Sequence, residues 1–177
     1  VKDVPIHTLK ETSCLLLKNE AGEEKYYFPH HVFWNQHPFG NFRFQLGPEF
    51  GQFKSLFDLI GVKKNPDYKD AISVLLEISN SQYAQSSLPI SENSELEQVI
   101  ISCWKLLSEA LLGEEINAIK LKELLSEKKT IPNSQNLLYR PGWLFIEDRP
   151  GWGQNFTLLK NNLIEKTEGT WLAMEAA

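Results

Sequence analysis

Short apolar runs separated by polar turns occupy the beginning of the chain and predict β structure. Residues 13–18 form one such run and residues 25–28 form a second one rich in aromatics, so the two predict a β-hairpin. Residues 41–46 alternate apolar with polar side chains, which predicts a third strand. The apolar residues on one face of that strand would be Phe42, Phe44 and Leu46.

The middle of the chain changes to helical spacing. One predicted helix ends at Gly61, and a second begins near residues 65–67. The apolar positions of these two helices are Phe53, Leu56, Phe57 and Ile60, then Tyr68, Ile72, Leu75 and Leu76. The polar residues 79–91 that follow cannot contribute to a core, so we expect an exposed loop there.

The longest helix is predicted over about residues 92–112, with Ser91 or Ser94 as its cap and Gly113 at its end. Its apolar stripe consists of Leu96, Val99, Ile100, Cys103, Trp104, Leu107 and Leu111. A shorter helix should follow, with the apolar positions Ile116, Ile119, Leu121, Leu124 and Leu125. The two helices extend the predicted central bundle.

The last part of the chain returns to short strands. Residues 137–139 and 143–146 are predicted strands, a turn is expected at residues 135–136, and residues 147–154 form a loop rich in Pro and Gly. This order predicts an α+β fold with an N-terminal β-hairpin and strand, a central helical bundle, and C-terminal short strands and helix. Residues 1–177 would form one compact domain or a fragment of a larger protein. A sub-division would place a β-rich part at 1–48, a helical part at 49–130 and a mixed part at 131–177.

Composition narrows the class of protein. The 177 residues include 18 basic and 23 acidic side chains, a net charge of −5, and 42% are hydrophobic. No apolar run approaches the roughly 20 residues that a membrane helix needs, and no basic stripe offers phosphate contacts. We therefore expect neither membrane nor nucleic acid as a partner. With only Cys14 and Cys103 and no signal-peptide pattern, free buried thiols and a cytoplasmic location are expected. The start at Val1 and the apolar end indicate a piece excised from a longer chain.

The sequence lacks the familiar signatures of catalysis. Neither the Gly-x-Gly-x-x-Gly nor the Gly-x4-Gly-Lys-Ser/Thr phosphate loop is present, and no Gly-x-Ser-x-Gly elbow occurs. His30, His31 and His37 are the only candidates for a metal cluster, but adjacent histidines point to different sides of a strand or helix. We therefore predict no catalytic residues, no metal and no cofactor.

Aromatic residues are the one unusual feature, at 11% of the chain. Several crowd around prolines in residues 26–42, where they would either fill a core or form a docking surface for a neighbouring domain or partner. The arginines that flank the Trp143 region could form an ion pair with a carboxylate of a partner. The candidate interaction residues are Phe33, Trp34, Phe39, Arg140, Trp143, Arg149 and Trp152.

Four segments carry a resemblance to a known family. Residues 52–68 read Gln-Phe-Lys-Ser-Leu-Phe-Asp-Leu-Ile-Gly-Val-Lys-Lys-Asn-Pro-Asp-Tyr, and with residues 71–76 they resemble the repeat regions of the sacsin and NO VEIN proteins. Those regions have a short helix ending in a Leu-Gly-Val-like corner before a helix that opens with Asp-Tyr. Residues 130–141, 143–148 and 171–177 are similar to later segments of the same regions.

The resemblance spans residues 28–177 and implies a very large intracellular parent protein in which a GHKL-type ATP-binding module precedes such regions. The Asp-x-Gly-x-Gly motif of that module has no counterpart in this sequence. The resemblance therefore implies a regulatory or client-contacting segment that does not itself bind ATP.

Three functions follow as hypotheses. The first is a noncatalytic structural or protein-interaction segment of a large, chaperone-like protein containing an ATPase, with adjacent domains and protein clients as partners. The second is a hydrolase or nuclease-associated component with its site in the 140–155 loop, helped by His30, His31 or His37. The third is a stand-alone peptide-binding adaptor, which requires an exposed apolar patch around Phe33, Trp34 and Phe39.

Overall fold

The chain has an α+β fold. A computed structural model describes residues 5–18, 22–86, 88–91, 94–144, 174, 176 and 177. The chain divides into two compact units, Val1–Pro66 and Asp67–Ala177, which we call unit 1 and unit 2. None of the described helices is both long enough and apolar enough to cross a membrane.

Unit 1 combines short strands with two short helices. Its elements are α1 (Ile6–Lys10), β1 (Leu15–Lys18), β2 (Glu24–Tyr27), β3 (Val32–Phe33), β4 (Phe44–Gln45) and α2 (Lys54–Ile60), with 3-10 turns at Pro29–His31, Gly40–Phe42 and Pro48–Phe53. The predicted hairpin is confirmed, since β1 and β2 pair antiparallel from Leu15 opposite Tyr27 to Lys18 opposite Glu24. The buried core cluster consists of Leu17, Tyr27, Val32, Leu46, Phe57, Ile60 and Val62.

The predicted third strand over 41–46 is wrong in its length. Phe42 lies in a 3-10 turn that begins at Gly40, where φ is 47°, and only Phe44–Gln45 is extended as β4. β4 pairs in parallel with β3, and Phe33 also bridges in parallel to Lys63. Glycine adopts this positive φ without a Cβ clash, so the turn interrupts the period-two pattern before a full strand forms.

Helix α2 is confirmed with its predicted end. Gly61 has a φ of 106°, and its N–H donates to the carbonyl oxygens of Phe57 and Asp58. Of the four apolar positions predicted for this helix, only Phe57 and Ile60 are buried. Phe53 precedes the helix in the 3-10 turn and Leu56 is exposed, so these two apolar positions do not contribute to the core.

Unit 2 is mainly helical. Its elements are α3 (Tyr68–Ser79), α4 (Gln82–Gln85), α5 (Glu95–Leu112), α6 (Ala118–Leu125), β5 (Ile131–Pro132), β6 (Leu138–Tyr139) and a 3-10 turn at Pro141–Trp143. Helix α3 begins at a complete capping box: Asp67 Oδ1 accepts from the N–H groups of Lys69 and Asp70, and Asp70 Oδ2 accepts from Asp67 N–H at 2.9 Å. Helices α3 and α5 pack together.

The long helix is confirmed, although it begins at Glu95 rather than at 92. Ser94 is its cap and accepts from the N–H of Glu97. Five residues of the predicted stripe are buried, namely Val99, Ile100, Cys103, Trp104 and Leu107, while Leu96 and Leu111 are half-buried. Cys103 is buried in this stripe, whereas Cys14 is only half-buried.

The prediction of an exposed loop over residues 79–91 is wrong. Helix α4 lies within it, and both Ala84 and Ile90 are buried. The N–H of Ile90 donates to the carbonyl oxygen of Asn136 at 2.8 Å, and Lys129 Nζ donates to the carbonyl oxygen of Ala84 at 3.0 Å. The burial of Ala84 and Ile90, together with these two hydrogen bonds, holds the polar segment against the rest of unit 2.

The predicted end of α5 at Gly113 is confirmed. Gly113 follows the helix with a φ of −80°, and the next residue, Glu114, adopts the left-handed conformation with a φ of 58°. Ile119, one of the apolar positions from which α6 was predicted, is 73% exposed, and Ile116 is buried ahead of the helix. The apolar stripe of α6 therefore contains Leu121 and Leu125 as its buried members.

The C-terminal strands are partly confirmed. β5 and β6 pair antiparallel, with Ile131 opposite Tyr139, and Asn136 between them has a φ of 61°. Trp143 lies in the last 3-10 turn, so the predicted strand over 143–146 does not begin there. Residues 145–173, which include Arg149, Trp152 and most of the 140–155 loop, lie outside the described residues.

Candidate functional site

Two of the predicted interaction residues lie in the interior of unit 1. Phe33 and Phe39 have no exposed surface, and their ring centroids are 6.1 Å apart. The ring of His37 lies 5.3 Å from that of Phe33 and 5.9 Å from that of Phe39. The prediction that Phe33 and Phe39 face a partner is wrong, because packing has removed both rings from solvent. The burial of Phe33 and Phe39 also excludes a peptide-binding patch centred on these two residues.

His31 and His37 are packed as neutral rings. Burial, followed by the neighbouring Arg43 guanidinium, lowers the pKa of His31 to about 3 and the pKa of His37 to about 4. The N–H of Phe39 donates to His37 Nδ1 at 3.3 Å, which an unprotonated nitrogen can accept. Over the described ranges of the chain, no group of three or more His, Cys, Asp or Glu side chains is placed to hold a metal ion.

Acid should therefore destabilise unit 1. Because both folded pKa values lie below the ordinary 6.5, the unfolded state binds more protons below that pH, and stability is lost progressively from about pH 6.5 down to about pH 3. We expect a loss of about 1–2 kcal/mol at pH 5 for the two histidines together, allowing for solvent screening of half-buried groups. The measurement is the urea midpoint of unfolding at neutral pH and at pH 5.

The matched variants for this measurement are His31→Gln with His37→Gln, and His7→Gln. His7 is exposed on α1, so its replacement should leave the acid sensitivity unchanged. The double variant should lose most of the acid sensitivity. An equal fall in the urea midpoint in the double variant and in the wild type would contradict the assignment to these two rings.

Trp34, in contrast, reaches the surface in a defined set of contacts. Its indole Nε1 donates to Asp58 Oδ1 at 2.7 Å, and Lys54 Nζ lies 4.5 Å from the ring centroid. Lys54 Nζ also lies 3.3 Å from Asp58 Oδ2, one helical turn along α2. Trp34 also packs edge-to-face with Phe57, with ring centroids 5.8 Å apart. We call Trp34, Lys54 and Asp58 the indole platform.

Three large apolar residues of α2 and of the turn before it remain open to solvent. Phe53, Leu56 and Leu59 are 50%, 53% and 51% exposed. They follow one another at intervals of three residues, along α2 and the turn before it. We call these three residues the α2 apolar face. The sequence showed the periodicity of Phe53 and Leu56 but gave no sign that they face outward.

Arg140 and Trp143 form a second exposed pair, in unit 2. The Arg140 guanidinium lies 5.5 Å from the Trp143 ring centroid, and its Nη1 lies 2.9 Å from Glu127 Oε2. Trp143 is 61% exposed. The sequence prediction placed both residues at an interaction surface, and their exposure is compatible with it. Arg149 and Trp152, predicted with them, lie outside the described residues.

Unit 2 also contains an open cleft that no sequence pattern indicated. It has a volume of about 450 Å³ and lies between the first turns of α3 and α6, beside the connection that follows α5. Its lining residues are Tyr68, Lys69, Ile72, Glu114, Glu115, Ile116, Asn117, Lys120 and Leu124. We call it the α3–α6 cleft. Its size is within the usual range of ligand pockets.

No protein-family model, curated protein or solved structure matches the chain. Family membership therefore rests on the residues that resemble the sacsin and NO VEIN repeat regions, and it stays a prediction. The candidate sites are argued from their own geometry.

Proposed function

We propose that the chain is a noncatalytic protein-interaction segment whose contact surface is the α2 apolar face. The observation that carries the proposal is the outward position of Phe53, Leu56 and Leu59, each about half exposed although unit 1 has a formed core beneath the same helix. Large apolar side chains grouped on an exposed surface are typical of protein contact surfaces.

The positions of the apolar residues around α2 show which part of the helix unit 1 leaves uncovered. At about 100° per residue, Leu59, Leu56, Ile60 and Phe57 occupy one continuous apolar arc of roughly 160° on α2. Unit 1 covers the half of this arc that contains Ile60 and Phe57. Leu56 and Leu59 occupy the other half and remain exposed, so the helix is apolar over more of its circumference than its own unit uses.

The size of the face favours one helix or extended peptide as its occupant. Three large side chains, each about half exposed, offer roughly 300 Å² of apolar surface. A stable dimer of globular partners buries about 800 Å² on each side. A short amphipathic segment, which offers one narrow apolar face, satisfies this requirement.

The wider setting is part of the same proposal. The resemblance of residues 52–68 and 130–141 supports a place in a large, chaperone-like protein of the sacsin and NO VEIN type, with adjacent domains and protein clients as the contacts. A cytoplasmic location fits that setting and the scarcity of cysteine. The enzyme alternative rests on the 140–155 loop, where the described Arg140 is ion-paired with Glu127.

The test uses the full chain and a permanently unfolded probe, reduced and carboxymethylated α-lactalbumin, followed by fluorescence anisotropy. The wild type should bind the probe, and the double variant Leu56→Ser with Leu59→Ser should bind it about tenfold or more weakly, because it removes most of the apolar contact area. Both residues are exposed, so the variant should fold.

The matched control is the double variant Leu112→Ser with Ile119→Ser, in unit 2. These residues are 68% and 73% exposed, so the control removes as much exposed apolar surface from a different place. It should bind the probe as the wild type does. Failure of the wild type to bind, or equal weakening in the two double variants, would refute the assignment of the contact surface to α2.

A further inference from the structure

The α3–α6 cleft has an aliphatic floor and a charged rim. Ile72 and Ile116 are buried and Leu124 is half-buried at its base. Lys69, Lys120, Glu114 and Glu115 stand at its edge, and all four are exposed. All of these residues belong to unit 2, so the cleft is complete within one compact unit. A ligand that fits it must combine an apolar body with polar or charged ends.

The backbone around the cleft is fixed by caps on every side. The capping box of Asp67 and Asp70 sets the first turn of α3, and Asn117 Oδ1 accepts from the N–H of Lys120 at 2.8 Å to start α6. Between them, the N–H of Glu115 donates to the carbonyl oxygen of Ala110 at 2.9 Å. The cleft is therefore already formed before any ligand arrives, which lowers the ordering cost of binding.

The charges on the rim decide the class of ligand. Lys69 and Lys120 would attract an anion, but Glu114 and Glu115 would repel it, and the reverse holds for a cation. Lys120 Nζ lies 3.5 Å from Glu123 Oε2 in an exposed pair, which is a weak interaction that leaves the ammonium able to turn towards a ligand. A ligand with one charge of each sign around an apolar centre is complementary to all four groups.

We propose that the α3–α6 cleft binds a short peptide segment in which adjacent apolar side chains are flanked by one acidic and one basic residue. The volume of about 450 Å³ accommodates two or three residues rather than a folded partner. The apolar side chains contact Ile72, Ile116 and Leu124, and the flanking charges pair with the lysines and glutamates of the rim. This site is separate from the α2 apolar face, so it can be tested independently.

The test is a titration of the isotope-labelled full chain with the peptide acetyl-Glu-Leu-Leu-Lys-amide, observed by backbone amide chemical shifts. We expect saturable shifts confined to residues 68–72, 114–117 and 120–124. The peptide acetyl-Glu-Ser-Ser-Lys-amide has the same charges without the apolar centre and should give none of them. Free leucine, a zwitterion of smaller size, should bind at least about tenfold more weakly, because it buries one side chain and not two.

Three variants complete the test. Lys120→Glu should weaken binding of the leucine peptide about threefold, as expected for one exposed ion pair, while Lys122→Glu on the same helix should not. Lys122 is exposed and does not line the cleft. Leu124→Ala should weaken binding about fivefold or more by reducing the aliphatic floor. The circular dichroism spectrum of each variant verifies that it is folded.

Five outcomes would overturn the proposal. Four are the absence of shifts at millimolar leucine peptide, shifts at residues away from the cleft, equal responses to the leucine and serine peptides, and equal weakening by Lys120→Glu and Lys122→Glu. The fifth is binding of free leucine as tightly as the peptide, which would identify an amino-acid site instead of a peptide site.

Discussion

Trp104→Ala is expected to lower the free energy of unfolding of unit 2 by about 3–5 kcal/mol. Trp104 has no exposed surface and lies at the centre of α5. Its indole Nε1 donates to the carbonyl oxygen of Thr130 at 3.3 Å, so the variant leaves both a cavity and an unsatisfied carbonyl. Urea unfolding followed by the helical circular dichroism signal measures the effect.

The control is the same substitution at an exposed position. Trp143 is 61% exposed, so Trp143→Ala should change the free energy of unfolding by no more than about 0.5 kcal/mol. Similar losses in the two variants would show that Trp104 is not the centre of the unit 2 core.

Phe33→Ala is expected to destabilise unit 1 by about 3–5 kcal/mol. The ring is fully buried against His37 and Phe39, on the strand that pairs with β4 and bridges to Lys63. Hydrogen exchange of the β1–β2 hairpin amides reports on unit 1 alone and should accelerate strongly in the variant.

Phe53→Ala is the matched control for this second prediction, since it removes the same side chain where it is half exposed. Phe53→Ala should lower the free energy of unfolding by about 1 kcal/mol or less. If Phe33→Ala were as stable as Phe53→Ala, Phe33 would not be a core residue. Its prediction as an interaction residue would then stand.

The elements predictable from the sequence are those held by local patterns. The β1–β2 hairpin has two apolar runs around a turn cluster, and α5 repeats its apolar stripe over 18 residues. The end of α2 was also predictable, because glycine adopts the left-handed conformation found at Gly61. In each case the information lies within a few residues of the element.

The elements that were missed depend on distant residues. β3 is two residues long and exists because it pairs with β4 and with Lys63, and neither pairing leaves a mark in the local pattern. Residues 41–46 alternate like a strand, yet a glycine turn at Gly40 shortens it to β4. Helix α4 is a single turn in a polar segment whose position depends on two buried side chains.

The candidate sites were also only partly predictable, because local sequence patterns do not show which distant residues pack together. Composition alone could not separate core aromatics from exposed ones, so a core and a docking surface both stayed open for Phe33, Phe39 and Trp34. Periodicity identified the apolar positions of α2 but not which half of the arc unit 1 would cover. The α3–α6 cleft draws its lining from three separate segments, each of which looks like an ordinary helix end.

The pairing of β3 has a kinetic consequence. Val32 accepts from the N–H of Lys63 at 3.1 Å, and Phe33 accepts from the N–H of Leu46 at 2.9 Å, so these bonds join segments far apart along the chain. Such bonds form only after the intervening chain has closed into loops, which is an entropic barrier that a local helical turn does not face. The rate at which residues 5–66 acquire their native arrangement should therefore be governed by this search for distant partners.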